Sequence, residues 1–222
     1  MIWSALKVSL LVVAVATLVT SLVGLALAFL LARREFRGRE LLDALLTMPL
    51  VLPPTVTGYY LIVLLGRRGL VGAPLYALTG WTLAFTWQGA ALAATVVALP
   101  LMIKASRAAI ESVEPRYEQA SYTLGKGEWE TFLRVTLPLA RRGVVAGIVL
   151  SAARALGEFG ATLLIAGNIP GRTQTMPLAI YEAVMTGDDR RAQMLAVLLT
   201  LVSVAAIYLT NKLSRATRAH GA

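Results

Sequence analysis

No ionisable side chain occurs between Lys7 and Arg33, and almost every residue of that stretch is apolar. A run of this kind exceeds the roughly 20 residues that a helix needs to cross a bilayer, and lipid leaves a chain few folding options. Further apolar runs follow at about 41–65, 81–104, 143–167 and 192–211, so with the first at 6–32 the sequence predicts about five spans. A soluble helical protein is excluded, because its buried helices are shorter and more often interrupted by charge. Composition agrees: 57% of residues are hydrophobic and 15% are charged, where soluble domains sit nearer about a quarter charged. The expected fold class is an all-α polytopic membrane protein, with residues 1–222 forming one transmembrane domain.

The net charge of +9 would suggest nucleic acid in a soluble protein. Here the basic residues lie between the apolar runs, and no basic and aromatic interleaving suited to base stacking occurs, so nucleic acid is not expected as a partner. Cysteine is absent, and the single histidine, His220, lies in a polar tail, which excludes thiol chemistry and a histidine-based metal site. The first apolar run ends in Arg33-Arg34-Glu35-Phe36-Arg37 rather than a small-residue cleavage site, so it reads as a retained anchor.

Lysine and arginine set the expected orientation, because they accumulate in cytoplasmic loops. In a five-span chain, one side carries Arg33, Arg34, Arg37 and Arg39, the basic residues from Lys104 to Arg142, and Lys212, Arg215 and Arg218. The other side carries only Lys7, Arg67, Arg68, Arg172, Arg190 and Arg191. The N-terminus is therefore expected outside, the C-terminus inside, and the segment at about 105–142 in the cytoplasm.

That segment has helical content. Ala105 to Val113 can prolong the third span, and Pro115 suits the first turn of a new helix, where its missing N–H costs little. Gly125-Lys126-Gly127 interrupts the run that follows, since glycine readily ends a helix at positive φ. A second helix is expected from Glu128 to Val135, with Leu137-Pro138 stopping it.

The segment resembles the coupling motif of bacterial ABC-importer permeases: E-A-A, three residues, G, nine residues, I, any residue, L-P. This chain reads Gln119-Ala120-Ser121, three residues, Gly125, nine residues, Val135-Thr136-Leu137-Pro138. The spacing matches, with Gln119 replacing the acid and Ser121 the second alanine. The expectation is that small residues at 120 and 121 leave one helix face free for close approach by an ATPase partner. Met48-Pro-Leu-Val-Leu-Pro-Pro-Thr-Val-Thr-Gly-Tyr-Tyr60, Gly66-Arg-Arg-Gly69 and the run from Asn168 to Pro177 are similar to the molybdate-permease branch. Ala153-Arg-Ala-Leu-Gly-Glu-Phe-Gly-Ala161 is similar to molybdate and sulfate permeases alike.

The resemblance implies a type I ABC-importer transmembrane domain in the cytoplasmic membrane. It implies a homodimer, two ATP-binding cassette subunits carrying ATP and magnesium, and a periplasmic or extracellular oxyanion-binding protein. The cargo would be molybdate, with sulfate or tungstate as the alternative; a stand-alone secondary transporter or channel would leave the motif without a purpose. No G-x-x-x-x-G-K-[ST] loop occurs, so the chain binds no cofactor of its own and is not itself the motor or an enzyme.

Several residues are candidates for the path or gate. Arg154 and Glu158, four apart in the fourth apolar run, can pair; they serve either as a structural pair or to shape the field felt by an anion. Pro49, Pro53 and Pro54 must kink or unwind the second span, which is either a structural bend or a path-lining break, with Thr55 and Thr57 adding hydroxyls. Gly143 and Gly147 form a G-x-x-x-G that suits either a dimer contact or packing within one subunit. Asn168, Arg172, Thr173 and Gln174 are candidates for docking the binding protein, or an ordinary solvated loop. Asp188, Asp189, Arg190 and Arg191 read as a solvated cap before the last span.

Overall fold

A computed structural model describes residues 2–219, except the side chains of residue 207 and of residues 209–219. The side chains of Lys212, Arg215 and Arg218, and His220 altogether, lie outside the described residues. Helix α1 (Ile2–Arg33) is followed by α2 (Arg39–Val51), α3 (Pro54–Leu65), α4 (Gly72–Thr79) and α5 (Trp87–Glu111). Then come α6 (Pro115–Thr123), α7 (Glu128–Thr131), a π-helical turn (Phe132–Thr136) and α8 (Leu137–Leu156). Helices α9 (Gly160–Ala166), α10 (Met176–Met185) and α11 (Asp189–Ala219) complete the described chain, in which no strand occurs.

Small residues organise the packing. On α1 the buried positions are Ala5, Ser9, Val12, Ala16, Thr20, Gly24, Ala28 and Leu31, a stripe with steps of three and four. Leu10, Leu11, Leu18 and Leu22 point outward. Small side chains inside and large apolar ones outside invert the soluble pattern. Lipid is as apolar as leucine, so helices associate there through close van der Waals contact. The α1 stripe meets α5, whose own buried set includes Gly89, Ala90, Ala93, Ala94, Val97 and Ala98. Helix α8 also packs on α5, and it touches α1. A Cβ on Gly143 would lie 2.3 Å from Ala109 Cβ, and one on Gly147 3.2 Å from Ala105 Cβ. The G-x-x-x-G is thus used within the subunit.

The expected spans change in three places. Helices α1, α5 and the continuous helical stretch Glu128–Leu156 are each long and apolar enough to cross a membrane. The expected 41–65 span is instead a pair, α2 and α3, bent by 117°. The break falls at Pro53 and Pro54, not at Pro49, which α2 accommodates. A residue before proline is driven out of the helical region, and two successive prolines enforce this twice: Leu52 (ψ 142) and Pro53 (ψ 136) are both extended. The expected 143–167 span ends at Leu156 and resumes only at Gly160. The 81–104 span begins later, at Trp87, and runs on to Glu111. The last apolar run lies within α11, capped by Asp188, whose carboxylate accepts the Arg191 N–H at 3.1 Å. Helix α4, within a stretch that reads as loop, is held by Arg67, whose guanidinium stacks 4.0 Å from the Tyr76 ring centre.

Candidate functional site

The α6–α7 elbow is built by local rules. Pro115 occupies the first turn of α6 and Glu118 places negative charge near its N-terminus. At the other end, the Lys126 N–H reaches back to the Ser121 carbonyl at 3.2 Å, and the Gly125 N–H to that of Tyr122 at 2.9 Å. This pair of bonds is the Schellman closure, which requires a left-handed residue at Gly125; its φ is +76°. Lys126 then bonds Glu130 at 2.7 Å, and Arg134 joins the same carboxylate at 3.1 Å.

The motif residues divide between two faces. Gln119, Ala120 and Gly125 are exposed, as are Tyr117, Leu124 and Trp129. Ser121 is not: it is buried, and its hydroxyl lies 2.8 Å from that of Thr131, tying α6 to α7. The expectation that positions 120 and 121 share an open face is therefore corrected. Consecutive residues on a helix are about 100° apart, so one faces out and the next faces in. A second correction concerns Leu137-Pro138, which does not stop the helix. The Leu137 N–H bonds the Phe132 carbonyl five residues back, forming a π turn. That wider turn makes room for the proline ring and lets the helix continue as α8. Leu137 is half-buried and Pro138 exposed.

The residues that fasten this elbow to the bundle escape motif reading. Arg33 bonds the Ile110 carbonyl and Glu118, both at 2.9 Å, and Arg34 pairs with Glu128. Phe29 packs against Phe132 in a tilted pair with ring centres 4.4 Å apart. Lys104 and Arg107 converge on Asp43 in α2 at 3.1 and 3.0 Å. The loop after α1 and the 105–142 segment therefore lie at one end of the molecule, the grouping used for the charge count.

The second candidate region is where the two helix breaks adjoin. Helices α3 and α9, which follow the breaks, pack directly on each other. A Cβ on Gly58 would lie 2.7 Å from Ala161 Cα, and one on Gly160 would lie 3.2 Å from Pro54 Cβ and from Thr55 Cγ2. Glu158 sits in the second break and is 3% exposed. Its Oε1 accepts the Ala161 N–H at 2.8 Å, capping α9, while Oε2 pairs with Arg154 Nη1 at 2.8 Å. The expected pair forms, but across a helix break instead of along one helix face. Pro53 and Thr55 are exposed, Arg154 is partly exposed, and Thr57 is buried with its hydroxyl unpartnered.

The third region is the loop after α9. Thr173 and Gln174 are fully buried. Thr173 accepts the Ile169 N–H at 3.0 Å, and the Gln174 amide donates to Glu182. Asn168 also donates to Glu182, at 3.1 Å. These three residues shape the loop from within, whereas Arg172 at its tip is exposed. Glu182 is a further residue that sequence reading missed; its one signal was an acid in an otherwise apolar helix.

Known proteins resemble this chain over nearly its whole length. It is 45% identical over 217 residues to the molybdenum transport system permease protein ModB of Escherichia coli K12, covering 97% of this chain and 95% of that one. With the corresponding protein of Haemophilus influenzae it shares 43% identity over 214 residues, covering 96% and 93%. The sulfate transport system permease protein CysT of Escherichia coli is more distant, at 36% over 210 residues, covering 95% and 76%. Among solved structures, the bacterial alginate ABC transporter in complex with a pentasaccharide-bound periplasmic protein superposes with a TM-score of 0.78 at 17% identity, covering 96% of this chain and 78% of that one. The MetNI methionine ABC transporter in an inward-facing form does so with a TM-score of 0.71 at 16% identity, covering 97% and 93%. These last likenesses establish the fold of a type I importer permease. Residues 21–219 match the family described as the binding-protein-dependent transport system inner membrane component, and the chain belongs to that family.

Proposed function

We propose that this chain is the membrane-spanning subunit of an ATP-driven importer for a tetrahedral oxyanion, molybdate in the first place. The observation that carries the cargo is near-full-length similarity to molybdenum permeases, at 45%, above the 36% shared with a sulfate permease. In this reading the chain works as a homodimer in the cytoplasmic membrane, with its N-terminus outside and its C-terminus inside. It binds no cofactor; ATP and magnesium belong to two partner ATPase subunits. The exposed face of α6, with Gln119, Ala120 and the Gly125 turn, seats the ATPase. ATP binding draws the two ATPases together, the elbows move with them, and the bundle passes from inward- to outward-facing. A binding protein docked against the Arg172 loop then releases its anion, and hydrolysis resets the gate. The adjoining breaks at Pro53-Pro54 and Gly157-Phe159, with Thr55, Thr57, Arg154 and Glu158, form the path or gate. Arg154 lowers the barrier to a dianion while its pairing with Glu158 prevents tight trapping, since a conduit must release what it admits.

The elbow is tested by Gly125→Pro. Proline's φ near −65° is incompatible with +76°, and it deletes the N–H that bonds Tyr122. Nothing lies within 4 Å of a Cβ at this position, so the bundle itself should stand. The expected result is loss of ATPase copurification with the permease still folded in detergent; retained assembly and transport would remove the elbow from the reading. Cargo is tested by calorimetry of the cognate binding protein with molybdate, tungstate and sulfate. Molybdate should bind most tightly, and a preference for sulfate would shift the assignment to that ion.

A further inference from the structure

We propose that Glu118 is the positioning residue through which α6 moves the spans, acting as a clamp with Arg33 and Thr136. This rests on the reading of the α6–α7 elbow as the ATPase socket.

Glu118 lies beside Gln119 but faces the other way. Its side chain is 12% exposed; its Oε1 forms an ion pair with Arg33 Nη2 at 2.9 Å and accepts a hydrogen bond from Thr136 Oγ1 at 2.6 Å. Arg33 is the last residue of α1, and the same Nη2 bonds the Ile110 carbonyl in the last turn of α5. That turn has no basic residue of its own, so Arg33 supplies the positive charge that its free carbonyls favour. Thr136 closes the π turn that leads into α8. One carboxylate oxygen thus joins α6 to α1, to α5 through the shared guanidinium, and to α8.

A mechanical reason favours this assignment. The covalent links out of α6 are the bends at 112–114 and the glycine turn at 124–127, and such connections absorb displacement. A charge-assisted contact between rigid helices passes it on. The π turn adds a second element, because such turns interrupt the regular ladder where a helix can shift register. Position 119, where the family motif carries its acid, is exposed here, and the inward-facing charge lies one residue earlier.

The test uses the full permease assembled with its ATPase in proteoliposomes, read as molybdate transported per ATP hydrolysed. Glu118→Gln is expected to copurify with the ATPase and hydrolyse ATP, while transport per ATP falls about tenfold, an ordinary size for coupling between sites. Thr136→Val, which removes one donor and keeps the side-chain shape, should fall in the same direction by about fivefold, the lower end of such coupling. In the double variant Arg33→Gln/Glu118→Gln the loss should be no greater than in Glu118→Gln alone, since one linkage cannot be broken twice. Wild-type stoichiometry in Glu118→Gln, or additive losses in the double variant, would overturn the clamp. If Glu118→Gln fails to assemble, Thr136→Val decides: wild-type stoichiometry there overturns the clamp as well. Intact assembly in Gly125→Pro would instead overturn the socket itself, so the two failures are distinguishable.

Discussion

Alanine at position 158 should be among the most damaging single substitutions in the bundle. Glu158 is almost fully buried and answers two groups at once, the Ala161 N–H and the Arg154 guanidinium. Its removal leaves a buried donor without an acceptor, at about 1–3 kcal/mol. It also leaves Arg154 unpaired. Breaking a fully buried pair costs about 3–5 kcal/mol, but the Arg154 side chain is 29% exposed, so its share is discounted. We expect a net loss of about 2–3 kcal/mol for Glu158→Ala on these grounds. Glu158→Gln keeps an acceptor for the cap and loses only the charge, so it should cost about 1 kcal/mol. Thermal unfolding of the detergent-purified protein measures both. Equal midpoints for the two variants would show that the cap contributes nothing. Transport should fall in both, because the break that Glu158 holds open lies against α3.

The contact between α3 and α9 supplies the second large effect. Gly58→Leu places a Cβ 2.7 Å from Ala161 Cα and 2.9 Å from its carbonyl oxygen. Backbone atoms cannot swing aside as the end of a flexible side chain can. The two helices must therefore separate, with a cost at or above the roughly 1–3 kcal/mol of ordinary overpacking. Gly58→Ala should already show most of the strain, because the clash begins at Cβ. The control is Gly127→Ala: φ is −73° and nothing lies within 4 Å, so its stability should stay within about 0.5 kcal/mol of the parent. A well-folded, transporting Gly58→Leu protein would show that the α3–α9 contact is dispensable.

Much of the elbow was legible because its signals are local. Pro115, the Gly125 turn and the bonds that close α6 all operate within a few residues, so spacing along the chain specifies them. The break at Pro53 and Pro54 was legible for the same reason, since proline acts on its own backbone and the residue before it. The assignment of the Arg172 loop was harder. Thr173 and Gln174 look like surface polar residues, yet both are buried: Thr173 bonds backbone within the loop, and Glu182, on a separate helix, accepts from Gln174 and Asn168. Nothing in the composition of 168–175 announces a partner there.

The sequence by itself determined the membrane class, the order of the apolar runs and the glycine at 125, all of which follow from hydropathy and backbone sterics. Only the tertiary structure decided that the run at 143–167 is interrupted, that Ser121 faces Thr131, that Gly143 and Gly147 serve packing within one subunit, and that Glu118 carries the inward contacts. The physical reason is separation along the chain. Arg33 and Ile110 are 77 residues apart, and Ser9 and Met176, joined by a 2.7 Å hydrogen bond, are 167 apart. A helical period reports which residues share a face, while the identity of the facing helix depends on how all the spans pack.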